Sequence, residues 1–327
     1  MLKLRHLFDN RDLAIMLLGN WNYNKKSLKM LSYFRISVNA IYPYTYNREI
    51  FFLRFLPWNN KNETEIDAEI NFLHYLRKNE LYVLEPVLSK FNKFLMKKDT
   101  PWGEYIVCSF KRVAGVQISE LEYNDEIIYG MGKTLGRLHK HSSKYTGCKK
   151  ESCFDILDNA EIYAKKKLSD DKLVVLKEID RIKNIFKDLP QNNSNFGLVH
   201  YDFEPDNVFY DEGTKKCSII DFGSSINHWY TMDIEQTINS IKEEFSEIDI
   251  IKIRTNFFNG YKTEYNMQEA ELELFSIFRS FDDLRCYINL KEVVEETWDN
   301  EPKWMVDLRK KINNKILKIE KNMNKVV

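Results

Sequence analysis

Between positions 198 and 207 the chain reads Leu-Val-His-Tyr-Asp-Phe-Glu-Pro-Asp-Asn, and positions 218–223 read Ser-Ile-Ile-Asp-Phe-Gly. The interval carries apolar β-formers at 208–210 and 217–220 around Asp211-Glu212-Gly213-Thr214, which is turn chemistry. A β-hairpin there brings Asn207 and Asp221 side by side, one at each outer end. Asp202, on a loop at the mouth of a cleft, can then accept the proton of a hydroxyl as its oxygen attacks phosphorus. Asn207 and Asp221 offer the hard oxygens that Mg²⁺ prefers when it bridges nucleotide phosphates. Taken singly, Asp202, Asp206 and Asp221 read equally well as turn formers or caps. The order of the string and the hairpin inside it argue for a working set.

His200 admits two readings, a base or a structural histidine whose ring bonds loop backbone. His139 falls on the apolar stripe of a helix and reads as a packed core histidine.

Upstream, the first 30 residues read as mixed and helical, with Trp21 and Tyr23 in a polar linker. Residues 31–44 and 49–56 are rich in aromatic and β-branched side chains and predict an antiparallel pair. A helix follows over 63–77, apolar on Ile66, Ile70, Leu73 and Leu76. Short strands are predicted at 85–88, 94–96 and 104–110. Residues 1–110 thus make a small nucleotide-binding lobe, with 111–115 leading out of it. Beyond Asn124 the pattern turns helical, at 125–141, 159–186, 231–245, 247–262, 267–289 and 303–322. Residues 111–327 form a larger lobe for catalysis and substrate. Gly132 and Gly136, four apart on one helix, let another helix approach closely. The expected class is α+β.

Nucleotide chemistry also needs a cation on the phosphates. The run 50–56 is apolar except for Arg54, and a lone cation in such a strand needs a partner. Glu69 lies between Ile66 and Leu73 on the buried side of the next helix. An Arg54–Glu69 pair is either a plain structural bridge or a device that aims a planar guanidinium at phosphate. The chain has no G-x-x-x-x-G-K-[ST] and no G-x-G-x-x-G, and residues 31–53 hold no glycine. A nucleotide must be covered by ordinary residues, with Ser37, Asn39 and the 42–47 turn as candidates.

Lys and Arg together number 49, as do Asp and Glu, so nothing global argues for nucleic acid. No apolar run approaches the ~18 residues of a membrane span. Five scattered cysteines read as reduced thiols in a cytoplasmic protein. Cys148 and Cys153 near His139 and His141 would suit zinc, although the x₄ spacing is loose and fits ordinary loop cysteines. Residues 221–301 hold 18 acidic and 7 basic residues. Beside a cleft, such a wall concentrates cations; a solvated face balanced by the basic tail after Lys303 accounts for the same numbers. Trp229, Tyr230, Phe257, Phe258 and Trp298 are either an aromatic wall for a quaternary ammonium or core. A monomer or weak dimer is expected.

These motifs resemble those of the aminoglycoside phosphotransferase and choline kinase group of small-molecule kinases. The likeness rests on Val-His-Tyr-Asp-Phe-Glu-Pro-Asp-Asn-Val at 199–208, Ile-Ile-Asp-Phe-Gly at 219–223 and Trp-Tyr-Thr-Met-Asp-Ile at 229–234. Leu-Gly-Arg-Leu-His at 135–139 and the 278–287 helix extend it over most of the chain. The chain is most similar to the bacterial phosphotransferase enzyme branch, which includes spore-coat-associated and stress-response kinases beside antibiotic-modifying ones.

The resemblance implies a two-lobed protein-kinase-like fold, with a small antiparallel-sheet N-lobe holding one helix and a larger, mostly helical C-lobe. It implies Asp202 as the catalytic aspartate, Asn207 and Asp221 as Mg²⁺ ligands, and Arg54 with Glu69 on the nucleotide side. The hinge around Ser109, Phe110 and Lys111 would face adenine through its backbone. ATP or GTP would donate phosphate to a hydroxyl of a small, cationic molecule such as an aminoglycoside or choline. Arg54 departs from the lysine most members carry. That departure and the glycine-free loop keep open an alternative, a kinase-fold binding or coat protein with little turnover. A protein kinase is disfavoured, since Tyr201 stands where arginine would and no Ala-Pro-Glu follows Asp221.

Overall fold

The structure is a computed structural model that describes residues 9–36, 39–148, 150–169, 172–266 and 275–326. It begins with helix α1 (Arg11–Leu18) and a 3₁₀ segment (Lys25–Ser32), then strands β1 (Arg35–Ile36), β2 (Ala40–Tyr46) and β3 (Glu49–Pro57). Helix α2 (Asn60–Lys78) follows, then β4 (Glu85–Pro86), β5 (Leu95–Thr100) and β6 (Gly103–Lys111). These strands form one antiparallel sheet in the order β1-β2-β3-β6-β4, with β5 also on β6. The strand expected from residue 31 begins only at Ala40 as a long strand, because 25–32 is wound as 3₁₀ helix. Asn47 and Arg48 both have positive φ, 48° and 67°, the backbone of a tight two-residue hairpin loop.

Alternation along β3 and β6 sends side chains to two cores. Leu53, Phe55, Tyr105 and Val107 pack under α1 and the 3₁₀ segment. Leu56, Ile106, Cys108 and Phe110 face the other way, toward Ile66, Ile70 and Leu73 of α2. Arg54 falls on the α2 side by the period of two, opposite Glu69.

The second half holds β7 (Val116–Gln117), α3 (Asp125–Ser142), α4 (Cys153–Lys167), α5 (Lys172–Asp188), β8 (Phe196–Val199), β9 (Val208–Asp211), β10 (Lys216–Ile219) and β11 (Ile226–Trp229). Helices α6 (Tyr230–Glu244), α7 (Ile250–Tyr261), α8 (Phe275–Val294) and α9 (Lys303–Val326) complete it. β10, β9 and β7 form a small sheet, and β8 pairs with β11. The result is the two-lobed, protein-kinase-like α+β fold expected.

The single helix expected over 159–186 is two, α4 and α5. The Lys-rich periodicity runs through the break, but Leu168 is extended, with φ −89° and ψ 144°, and a capping box of Ser152 and Asp155 starts α4 early. The first eight residues expected in the 267–289 helix lie outside the described residues. Gly132 and Gly136 do admit a neighbour: a Cβ on Gly132 would stand 1.9 Å from the Phe257 carbonyl oxygen of α7. Only hydrogen fits there.

The lobes share a core. Residues of α2 pack in one cluster with Met131, Leu135, Phe203, Val208, Ile219 and Phe257. The segment after α2 ties in through Ile219 N–H to Tyr82 O at 2.9 Å and Leu84 N–H to Ile219 O at 3.2 Å. The change from sheet to helices near 110 is a change of architecture without a gap in packing. Among the described residues no helix is long and apolar enough to cross a membrane.

Candidate active site

In the β9–β10 ladder Val208 faces Ile219, and Ile220 N–H donates to Asn207 O at 3.0 Å. Asn207 and Asp221 therefore leave the same end of the hairpin. The Asn207 amide nitrogen donates to the Asp202 carboxylate at 2.9 Å and to the Asp202 carbonyl at 3.0 Å. Both amide hydrogens are then used, and its oxygen remains as a hard donor. Asp221 is left-handed, φ 60° and ψ 62°, a conformation Asp tolerates better than most residues. An amide oxygen beside a carboxylate, with a second carboxylate one hydrogen bond away, fits a hard divalent cation such as Mg²⁺.

The neighbours of Asp221 are tied down. His200 is fully buried, and its Nδ1 accepts the Asp202 N–H at 3.2 Å. The proton is therefore on Nε2, which donates to Ile220 O at 2.9 Å. Burial holds the pKa of His200 below its ordinary value, so the ring is neutral. It links the Asp202 loop to the Asp221 strand and has no free nitrogen for base catalysis. On the far side, Lys150 Nζ donates to Phe222 O at 2.8 Å. Burial lowers the pKa of Lys150, against the pull of Glu69 and Glu65.

The Asp202 loop hangs from Asp233, near the start of α6. One Asp233 oxygen accepts the His200 N–H at 2.7 Å, and the other accepts the Tyr201 N–H at 2.6 Å. His139 braces the same carboxylate through Nε2 at 3.2 Å, while its Nδ1 accepts the Tyr261 hydroxyl at 2.8 Å. His139 is a core histidine. Tyr201 has φ 66°, and its ring is clamped by Arg285 at 4.0 Å and its hydroxyl by Asp282 at 2.9 Å. Asp202 itself is pushed up to about 7, by burial first and then by Glu204, Asp221 and Asp206. A bound cation would pull it back down.

Arg54 and Glu69 meet as a bidentate pair at 2.9 and 2.8 Å, both almost wholly buried. Burial opposes both charges; mutual attraction overrides it, so Arg54 is raised and Glu69 lowered. Arg54 Nε is buried without a partner among the described residues. The guanidinium also sits 4.7 Å above the Phe110 ring.

Two cavities adjoin the site. One, of about 290 Å³, is lined by Ile41, Phe52, Arg54, Phe110, Asn207 and Asp221. The other, of about 410 Å³, is lined by Glu65, Glu151, Asp202, Asp221, Arg285 and Glu292 among others. Asp221 belongs to both. Of the hinge residues, Phe110 faces the first cavity, together with Arg112 and Val113. Ser109 is buried against the Tyr44 hydroxyl at 2.7 Å, and Lys111 pairs with Glu49 and lines a cavity behind the hinge. Alternation along β6 puts Phe110 on the opposite face from Ser109 and Lys111.

Asn39 lines both front cavities. Ser37 lies outside the described residues. The turn at Asn47 and Arg48 is at the other end of β2 from Asn39, and the first cavity is lined from this hairpin by Arg35, Asn39, Ile41 and Pro43. Cys153 is buried, Cys148 is exposed and His139 is taken up by Asp233 and Tyr261; among the described residues no three or more His, Cys, Asp or Glu side chains gather around Cys148 and Cys153 as a zinc site would need. Trp229, Tyr230 and Phe257 are core. Of the acidic run, Asp221 and Glu292 reach the larger cavity, while Glu235, Glu264 and Glu295 pair with Arg254, Lys140 and Lys167.

Sequence reading passed over Arg35, Lys150 and the role of Asp233. An acid within the otherwise uncharged stretch 229–234, in the first turn of α6, was a usable sign, since a buried carboxylate demands partners. Nothing local marks the other two.

A match to the phosphotransferase enzyme family spans residues 43–271. The chain belongs to that family. It is an enzyme, a small-molecule kinase. Amicoumacin kinase of Bacillus subtilis (strain 168) is 20% identical over 95% of this chain and 94% of its own. Among solved structures, amicoumacin kinase hAmiN in complex with AMP-PNP, Ca²⁺ and Ami superposes with a TM-score of 0.76 at 18% identity, covering 98% of each chain. A microcompartment-associated aminopropanol kinase gives 0.67 at 18% identity, over 96% of this chain and 98% of that one. Spectinomycin phosphotransferase in complex with ADP and spectinomycin gives 0.57 at 10% identity, over 96% and 98%. These likenesses show a common fold. The matched span holds Arg54, Glu69, Asp202, Asn207, Asp221 and Asp233.

Proposed function

We propose that this phosphotransferase moves the γ-phosphoryl group of ATP or GTP to a hydroxyl of a small cationic molecule, with Mg²⁺. The observation that carries the reading is that Asp221 lines both cavities, with Asn207 beside it in one and Asp202 in the other. Nucleotide fits the apolar cavity under Phe52 and Phe110, and the acceptor fits the polar one.

Asp202 takes the proton of the acceptor hydroxyl. That oxygen bonds to the γ-phosphorus as the bond to the β-phosphate oxygen breaks, and nucleoside diphosphate leaves. Asn207 and Asp221 would hold Mg²⁺, which neutralises charge on the phosphates. Arg54, oriented by Glu69, presents its remaining edge to phosphate. Phe110, Arg112 and Val113 border the base. The substrate preference follows from charge: the larger cavity has five carboxylates, Glu65, Glu151, Asp202, Asp221 and Glu292, against three cations, Arg35, Lys61 and Arg285. The related kinases named for amicoumacin, aminopropanol and spectinomycin support an amine-bearing alcohol. Free cysteines and a nucleotide donor support a cytoplasmic enzyme acting on a small-molecule acceptor.

Initial rates with Mg-ATP and Mg-GTP on amino alcohols, choline, homoserine and aminoglycosides test the reading. Asp202→Asn should lower kcat by about 10²–10⁴-fold with nucleotide affinity retained. Wild-type turnover in that variant would sink the assignment.

A further inference from the structure

We propose that Arg35 binds the γ-phosphoryl group directly, supplying in one side chain what a glycine-rich loop elsewhere supplies through its amides. This rests on the nucleotide reading of the two cavities. Three described residues line both cavities: Arg35, Asn39 and Asp221. A transferred group must cross that junction, since nucleotide lies on one side and acceptor on the other. Asp221 is an acid and Asn39 is neutral. Arg35 is the one cation there among the described residues.

Other cations near the path are engaged, apart from Arg112, which lines only the first of the two cavities, beside Phe110 and Val113, and does not reach the junction. Arg54 gives two guanidinium nitrogens to Glu69, and that pair carries no net charge. Lys150 points at the Phe222 carbonyl. Lys61 pairs with Glu151 at 2.8 Å, and Arg285 stacks on Tyr201. Arg35 has only a loose contact, 4.0 Å to Asp206, with 64% of its side chain exposed. Its backbone is fixed, because Arg35 pairs with Ile41 in the sheet. The guanidinium thus reaches from this edge strand toward Asp206 of the Asp202 loop. Residues 31–53 contain no glycine, so this hairpin lacks the residue that lets backbone approach phosphates most closely. A planar fork donating two N–H groups to phosphoryl oxygens replaces it. Arg35 takes no proton; it stabilises charge on the group in flight.

The test compares Mg-AMP-PNP with Mg-ADP, which differ by the γ group. Calorimetry and kinetics are run on wild type, Arg35→Ala and Arg35→Lys. Arg35→Ala should weaken AMP-PNP about tenfold while ADP changes less than about twofold, and kcat should fall about 100-fold, the scale for losing one charge-stabilising donor. Arg35→Lys should recover part of both. Equal losses for the two nucleotides, or unchanged kcat, overturn the proposal. Wild type that binds neither nucleotide overturns the parent reading instead. Unchanged thermal unfolding of the variants confirms that an exposed side chain was removed without harm to the fold.

Discussion

Asp233 receives the backbone N–H of His200 on one carboxylate oxygen and that of Tyr201 on the other, at 2.7 and 2.6 Å. Asp233 is 1% exposed, so these bonds form in a dry setting. They hold Tyr201 at φ 66°, a strained value for an aromatic residue, and so aim the next residue, Asp202.

Asp233→Asn leaves one of the two N–H groups facing an amide N–H. A hydrogen bond to a charged group contributes about 1.5–3 kcal/mol, so unfolding in urea should show a loss of about 2–4 kcal/mol. Turnover should drop at least about tenfold, because a misplacement near 1 Å already costs about 10²-fold. A variant with wild-type stability and rate would refute the role of Asp233 as the anchor of the loop.

Arg54→Met strands Glu69 as a buried charge. The expected cost is about 3–5 kcal/mol in chemical denaturation. Arg54→Met combined with Glu69→Leu should regain most of that stability, since no uncompensated charge remains, yet phosphorylation should stay absent. If the double variant turned over like wild type, the pair would be a structural bridge and nothing more.

His228 is wholly buried among Phe186, Phe278 and Phe281, and its Nδ1 accepts the Trp229 N–H at 2.8 Å. Burial, the leading cause, lowers its pKa to about 3. The unfolded value is about 6.5, so the unfolded chain takes the proton first as pH falls. Stability from this group is complete above about pH 6.5 and declines between there and pH 3, by about 1.4 kcal/mol per pH unit. His228→Phe should flatten the stability–pH slope by that amount between about pH 5.5 and 4. Parallel slopes for the two proteins would contradict a neutral buried ring.

Much of the site is written in short-range pattern. Asn207 and Asp221 could be paired from sequence because a two-strand hairpin with Asp-Glu-Gly at its tip has a fixed reach. Arg54 and Glu69 could be paired because a strand period of two and a helix period near four put both on one face. Their spacing is local, and local sterics enforce it.

Other features depend on how distant elements dock. Tyr201 and Asp282 are 81 residues apart, and His139 and Tyr261 are 122 apart. The break between α4 and α5 left no mark in a uniform Lys-rich pattern, because helical periodicity records a face and is blind to an extended residue such as Leu168. Of the candidates for covering the first cavity, Asn39 and Pro43 line it while the Asn47–Arg48 turn does not, for a similar reason: both ends of β2 look like hairpin ends, and only the packing of the sheet on the 200–223 loops says which end faces them. The sequence by itself determined the chemistry, meaning which acids, amides and cations the chain can bring to phosphate. Tertiary structure alone decided their duties: burial and one carboxylate, Asp233, turned His200 into scaffold and aimed Asp202 at a cavity, and the docking of the sheet on the Asp202 loop set Arg35 where the two cavities meet.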